Sequence, residues 1–209
     1  MVRTLNLLEK RKFHTNVKVG EKFIFSIGGN NDFTALASCE KFDISNEDYQ
    51  PSAELNYERS GGIAVCQSNQ FIFCFGGWNE ASKYFPNTIE KFDVLSELMK
   101  WVVIDVNLQN HLQKFGMNGI EIENGILLIF GGQNEATSSD LCYVFNKDQS
   151  FSLPPEKLMK PANFSLFCLQ PIRFGYKIYS LCSSKLIHTY DIINHNWELI
   201  NFYSWAKPL

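Results

Sequence analysis

The chain has 209 residues, 45% hydrophobic and 20% charged, an ordinary globular composition with enough apolar material for one sizeable core. The formal net charge is −3 and no basic run exceeds Lys10-Arg11-Lys12, so a nucleic-acid or anionic-membrane role has little electrostatic support. Aromatics make up 14%, with 18 Phe and 8 Tyr, which favours a pleated, half-buried surface and hence β structure. The opening MVRTLNLLEKRKFH holds no continuous apolar stretch and no small-residue cleavage site, and no run of about 18 apolar residues follows. The expected address is therefore cytoplasmic. Cys39, Cys66, Cys74, Cys142, Cys168 and Cys182 form no CxxC pair and sit in or beside apolar runs, as buried thiols of a reducing compartment do.

In chain order, a first apolar segment, His14 to Val19, is followed by a Gly-Glu turn and a second, FIFSI, ending in Gly28-Gly29. Phe42-Asp43 and then Tyr49 mark a third and a fourth segment. The series returns as Gly62 to Cys66, FIFCF before Gly76-Gly77, Phe92-Asp93 and Trp101. It returns again as Gly119 to Ile122, an apolar run into Gly131-Gly132, Phe145-Asn146 and Phe151. The last round is Phe164 to Leu169, KIYSL before Cys182-Ser183 in place of the glycines, Tyr190-Asp191 and Trp197. LSELMKW, Leu95 to Trp101, could form a helical turn but falls where a strand is expected. Turn residues such as Ser-Asn-Gln, Glu-Asn-Gly and Arg-Phe-Gly separate the segments.

The glycine pairs recur 48 and 55 residues apart, counted from Gly28 to Gly76 and from Gly76 to Gly131. Four strand-length segments at a period of about 50 predict four-stranded propeller blades. We place them at residues 11–56, 57–107, 114–155 and 160–201 of a single domain, 1–209, with 1–10 as a leftover strand of a missing blade. One such blade is apolar on both faces, so neighbours must stack to bury them. Phe42, Phe92, Phe145, Tyr190, Trp101 and Trp197 are thus expected as packing residues between blades, each contributing about 1.5–3 kcal/mol of burial. The glycine pairs are expected as strand-end turns, and Asn31, Asn79 and Asn134, two residues beyond them, as turn residues that bond their own backbone.

This pattern resembles the kelch repeat family over about residues 11–201, most closely in the second unit: Arg59, FIFCFGG, IEKFD and Trp101. The departures are the missing glycines of the fourth unit, Tyr49 and Phe151 in place of Trp, and four units where the family typically has about six. The resemblance implies a non-catalytic protein-binding or scaffold subunit of a cytoskeletal or ciliary assembly, or a substrate receptor of a ubiquitin ligase. A metal-dependent propeller enzyme is a further alternative, since some kelch-like propellers hold copper or iron. An incomplete array would self-associate or dock a partner through a terminal blade.

Tested for chemistry, the glycine pairs do not follow GxxxxGK[ST] or GxGxxG, so they are not phosphate loops. His14, His111, His188 and His195 are dispersed, and Asp32, Glu80 and Glu135 recur at matching loop positions as solvated acids or partners of loop cations. We therefore expect no catalytic, cofactor or metal site, and protein partners bound through loops. The long loop WNEASKYFPNT holds Trp78, Tyr84 and Phe85, with Lys83 beside them, and the tail NFYSWAKPL holds Tyr203 and Trp205; these are the candidate partner-binding residues.

Overall fold

The computed structural model describes residues 6–104, 115–123, 125–133, 142–152, 170–181 and 186–201. Every regular element among them is a strand. The first four are β1 (Thr15–Val19), β2 (Phe23–Ile27), β3 (Cys39–Asp43) and β4 (Asp48–Ser52). Next come β5 (Ile63–Gln67), β6 (Phe71–Phe75), β7 (Ile89–Asp93) and β8 (Trp101–Ile104). The third group is β9 (Phe115–Glu123), β10 (Ile126–Gln133), β11 (Cys142–Phe145) and β12 (Phe151–Ser152). The last is β13 (Ile172–Phe174), β14 (Lys177–Leu181), β15 (Leu186–Asp191) and β16 (Asn196–Asn201). Each group forms one antiparallel four-stranded sheet whose spatial order follows the chain, the meander of a propeller blade. The fold is thus all-β with four blade-like sheets, as the period requires. The chain divides into two compact units, Met1–Phe115 with the first two sheets and Gly116–Leu209 with the other two.

The registers explain the repeated marks. Phe42 pairs Ile24 and Tyr49, Phe92 pairs Ile72 and Trp101, and Tyr190 pairs Ile178 and Trp197, so each late aromatic lies directly across from its partner. The Asp after the aromatic closes the next turn. Asp43 Oδ1 accepts from the backbone of Ser45 and Asn46, Asp93 Oδ1 from Leu95, and Asp191 Oδ1 from Ile193 and Asn194.

Within the first unit, Val17, Val19, Phe25, Ile27, Cys39 and Leu55 form one core with Ala64, Ile72, Cys74, Phe92 and Trp101 of the second sheet. Phe25 and Phe92 meet across it at 5.9 Å, and Trp101 Nε1 donates to the Ala53 carbonyl at 3.0 Å. The second unit repeats the arrangement, with Phe130 against Trp197 at 5.2 Å and Ile178 and Tyr190 in the same cluster. Phe92, Phe145, Tyr190 and Trp101 are buried as expected. Phe42 is only half-buried and packs against Tyr49 with ring centroids 4.9 Å apart, on the side of the first sheet opposite Phe25; Trp197 is half-buried too.

Three local readings change. Leu95 to Lys100 is turn and loop, with β8 starting at Trp101. Arg173 and Phe174 are strand, because the hairpin turns at Gly175-Tyr176, where Gly175 has φ +60°. Gly131 and Gly132 lie inside β10 rather than after it, though both have positive φ. The segment Phe164 to Leu169 and the tail beyond Asn201, with Tyr203 and Trp205, lie outside the described residues.

Candidate functional site

The glycine pairs do more than turn the chain. Gly28 (φ +61°) and Gly29 (φ +103°) need the left-handed region, and they also leave room for another segment. A Cβ on Gly28 would stand 2.6 Å from the Arg59 carbonyl oxygen, and one on Gly29 2.7 Å from that of Lys12. Gly29 N donates to the Arg59 carbonyl at 2.8 Å. The first glycine pair is therefore the seat on which the segment leading to the second sheet docks.

From that seat Arg59 reaches into its own sheet. Its Nη1 donates to the Gly76 carbonyl at 2.7 Å, its Nη2 to the Thr88 carbonyl and hydroxyl at 3.0 and 2.8 Å, and its Nε to Glu90 Oε1 at 3.1 Å. Glu90 also accepts from the backbone N–H of Asn56 and Tyr57 at 2.5 and 3.3 Å. The first sheet contains the same device: Arg11 Nη1 bonds the carbonyls of Gly28 and Ser38, both at 2.8 Å, and its Nη2 meets Glu40 Oε1 at 2.6 Å. Glu40 takes the N–H groups of Leu8 and Glu9 at 2.7 and 3.0 Å. All four charged side chains are almost fully buried. At the register position of these glutamates, two residues before the aromatic mark, the third sheet has Tyr143 and the fourth has His188, both buried. Arg59 marks a repeat start in the sequence, but Arg11, Glu40 and Glu90 escape notice. The visible signal is their recurrence, 48 residues from Arg11 to Arg59 and 50 from Glu40 to Glu90.

Beyond the glycines, at the end of the sheets where β2 and β6 finish, loops carry the exposed groups. Asn31 Oδ1 accepts from the N–H of Phe33 and Thr34 at 3.2 and 3.1 Å, and Asn79 Oδ1 from Ala81 and Ser82 at 3.1 and 3.2 Å. The recurring Asn thus shapes each loop by bonding its own backbone, as expected. Asn134 and Glu135 fall outside the described residues. Trp78 and Phe85 are half-buried against one another, with ring centroids 4.4 Å apart, whereas Tyr84 is 45% exposed and Lys83 is exposed. Sequence reasoning missed two more aromatics: Phe33 is 92% and Phe13 is 54% exposed.

Backbone contacts tie these loops together. Lys12 is bridged to Asn30, the Phe13 carbonyl accepts from Gly61 N at 2.8 Å, and Ser60 is bridged to Trp78, as Asn79 is to Tyr84. Asp32 takes Lys10 at 2.9 Å and Lys12 at 2.8 Å, and the bond from Lys12 does most to hold its carboxyl down at about 2. The loop acid is thus a partner of loop cations.

Burial pushes the Cys39 and Cys74 thiols up to about 12, far from a reactive thiolate, and Cys142 higher still. Among the described residues no three His, Cys, Asp or Glu side chains come together as a metal site, and no helix is long and apolar enough to cross a membrane. No protein-family model and no curated protein matches this chain.

Proposed function

We propose that the chain is a kelch-type propeller module with no catalytic role, which binds a protein partner through the loops at the glycine-pair end of its sheets. It would serve as a scaffold subunit of a cytoplasmic, cytoskeletal or ciliary assembly. The observation that carries this reading is the set of exposed rings, Phe13, Phe33 and Tyr84, on loops whose backbones are held by Asx turns and bridges. Exposing a ring to water stabilises nothing, whereas rigid aromatic anchors on ordered loops are what interfaces use. The buried Arg–Glu networks beneath supply the rigidity.

The test is affinity capture with quantitative mass spectrometry, comparing the wild type with a Trp78→Ala/Tyr84→Ala/Phe85→Ala variant of unchanged circular dichroism. A defined set of proteins should be lost with the variant. Equal recovery of every captured protein by both would refute the assignment.

A further inference from the structure

The junction inside the first unit shows what one sheet requires of the next. Val17, Val19, Phe25 and Ile27 lie on one side of the first sheet and are buried in a core shared with Ile72, Phe92 and Trp101 of the second. The last sheet carries the same side again. By register, Ile172 stands at the position of Val17, Phe174 at that of Val19 and Tyr179 at that of Phe25. Val17 and Val19 are 3% and 4% exposed, but Ile172 is 60% and Phe174 79% exposed. Apolar groups left open at positions that a neighbouring sheet covers elsewhere mark an interface.

The first sheet carries the complementary side. Ile24, Phe42 and Tyr49 hold the register positions of Ile72, Phe92 and Trp101, and they are half-buried where those counterparts are buried. The ring spacing repeats as well: Phe42 and Tyr49 are 4.9 Å apart, Phe92 and Trp101 5.3 Å. In the covered case Phe92 meets the ring of Phe25, and the last sheet offers Tyr179 at that position. A polar contact has its two halves in place too. At the covered junction Gly20 N donates to Asn69 Oδ1 at 3.2 Å, from one hairpin turn to the next. The last sheet has Gly175 where the first has Gly20, with φ +60° against +57°. The first sheet has Glu21, its side chain 93% exposed, where the second has Asn69.

We propose that a second copy of the chain completes the junction, the Ile24–Phe42–Tyr49 side of one copy seating on the Ile172–Phe174–Tyr179 side of the other. The two sides differ, so two copies can form the contact twice about a two-fold axis and leave neither side open. Sedimentation velocity of the 209-residue chain across the micromolar range tests this. The mass should rise from one chain to two with concentration. Phe174→Asp, which sets a charge in the junction, should raise the dimer dissociation constant at least about tenfold. Asn16→Glu should do the same from the other side, because exposed Asn16 stands at the register position of buried Ala64. Both variants should keep the wild-type circular dichroism, since neither residue is buried in the single chain, and Ile172→Asp repeats the first at a second exposed position. Mixing Phe174→Asp with Asn16→Glu should restore a dimer, since each keeps the side that the other has lost. A monomer at every concentration, dimerisation unchanged in these variants, or no recovery on mixing would overturn the proposal.

Discussion

Glu90 offers the sharpest test of how the sheets are joined. Its carboxylate is fully buried and accepts from Arg59 Nε at 3.1 Å, from the N–H groups of Asn56 and Tyr57, and from Asn56 Nδ2 at 2.8 Å. Glu90→Gln keeps the shape and one acceptor oxygen but removes the charge. Arg59, whose side chain is 1% exposed, then becomes a buried cation without its counter-ion. Breaking a buried pair from one side costs about 3–5 kcal/mol, and one backbone N–H left without an acceptor adds about 1–3 kcal/mol. With Gln still serving part of the acceptor set, we expect a loss of about 3–4 kcal/mol, a large fraction of a domain's stability. Arg59→Met should cost a similar amount, because it also strips donors from the Gly76 and Thr88 carbonyls. The double variant should cost clearly less than the two singles together, since neither charge is then left alone. The assay is urea unfolding followed by tryptophan fluorescence, with Trp101 reporting on the first unit's core. A Glu90→Gln loss below about 1 kcal/mol, or strict additivity in the double variant, would refute a coupled buried pair.

Further expectations follow from the same geometry. Gly28→Ala should lower the melting temperature far more than Gly20→Ala. Both sites have φ near +60°, but a Cβ meets the Arg59 carbonyl at 2.6 Å in the first and nothing within 4 Å in the second. His14 has its pKa lowered, by burial first and by the Arg11 charge second. The folded state therefore binds its proton less readily than the unfolded chain. Stability should fall as the pH drops below about 6.5, and the His14→Gln variant should show a shallower fall in thermal melts between pH 7.5 and 5. With a thiol reagent at pH 8, Cys39 and Cys74 should stay unmodified in the native protein while half-buried Cys66 is modified, and denaturant should release both.

The strands were legible in the sequence because their signal is local and repeated. An apolar run, a glycine pair and an aromatic–Asp pair lie within about one strand's reach of the turns they define, and four copies average out the noise. The buried ion pairs were not legible, because Arg11 and Glu40 stand 29 residues apart in the chain, and a charged residue in a polar segment reads as solvated surface. Phe33 was missed for the opposite reason. A single ring in a short polar loop has no periodicity to interpret, and its exposure depends on the turn that Asn31 imposes. The aromatic content of the longer loop was visible, but not that Trp78 and Phe85 would pack together and leave Tyr84 outside.

The two EKFD stretches show how the recurring residues are used. In Glu40-Lys41-Phe42-Asp43 and Glu90-Lys91-Phe92-Asp93 every residue has a partner in its own repeat or at the junction. The glutamates take the arginines, and the aspartates close the next turn. The lysines lie over Phe23 and Phe71, with Nζ 4.8 and 3.8 Å from the ring centroids. Phe42 and Phe92 pack against the aromatic across the sheet. Recurrence therefore tracks structural duty. Phe13, Phe33 and the Lys83-Tyr84-Phe85 tip do not recur, and they stand on the loops beyond the recurring residues. The buried networks beneath them are closed on other groups: Arg11 and Arg59 bond their glutamates, the carbonyls of Gly28, Ser38, Gly76 and Thr88, and the Ser38 and Thr88 hydroxyls.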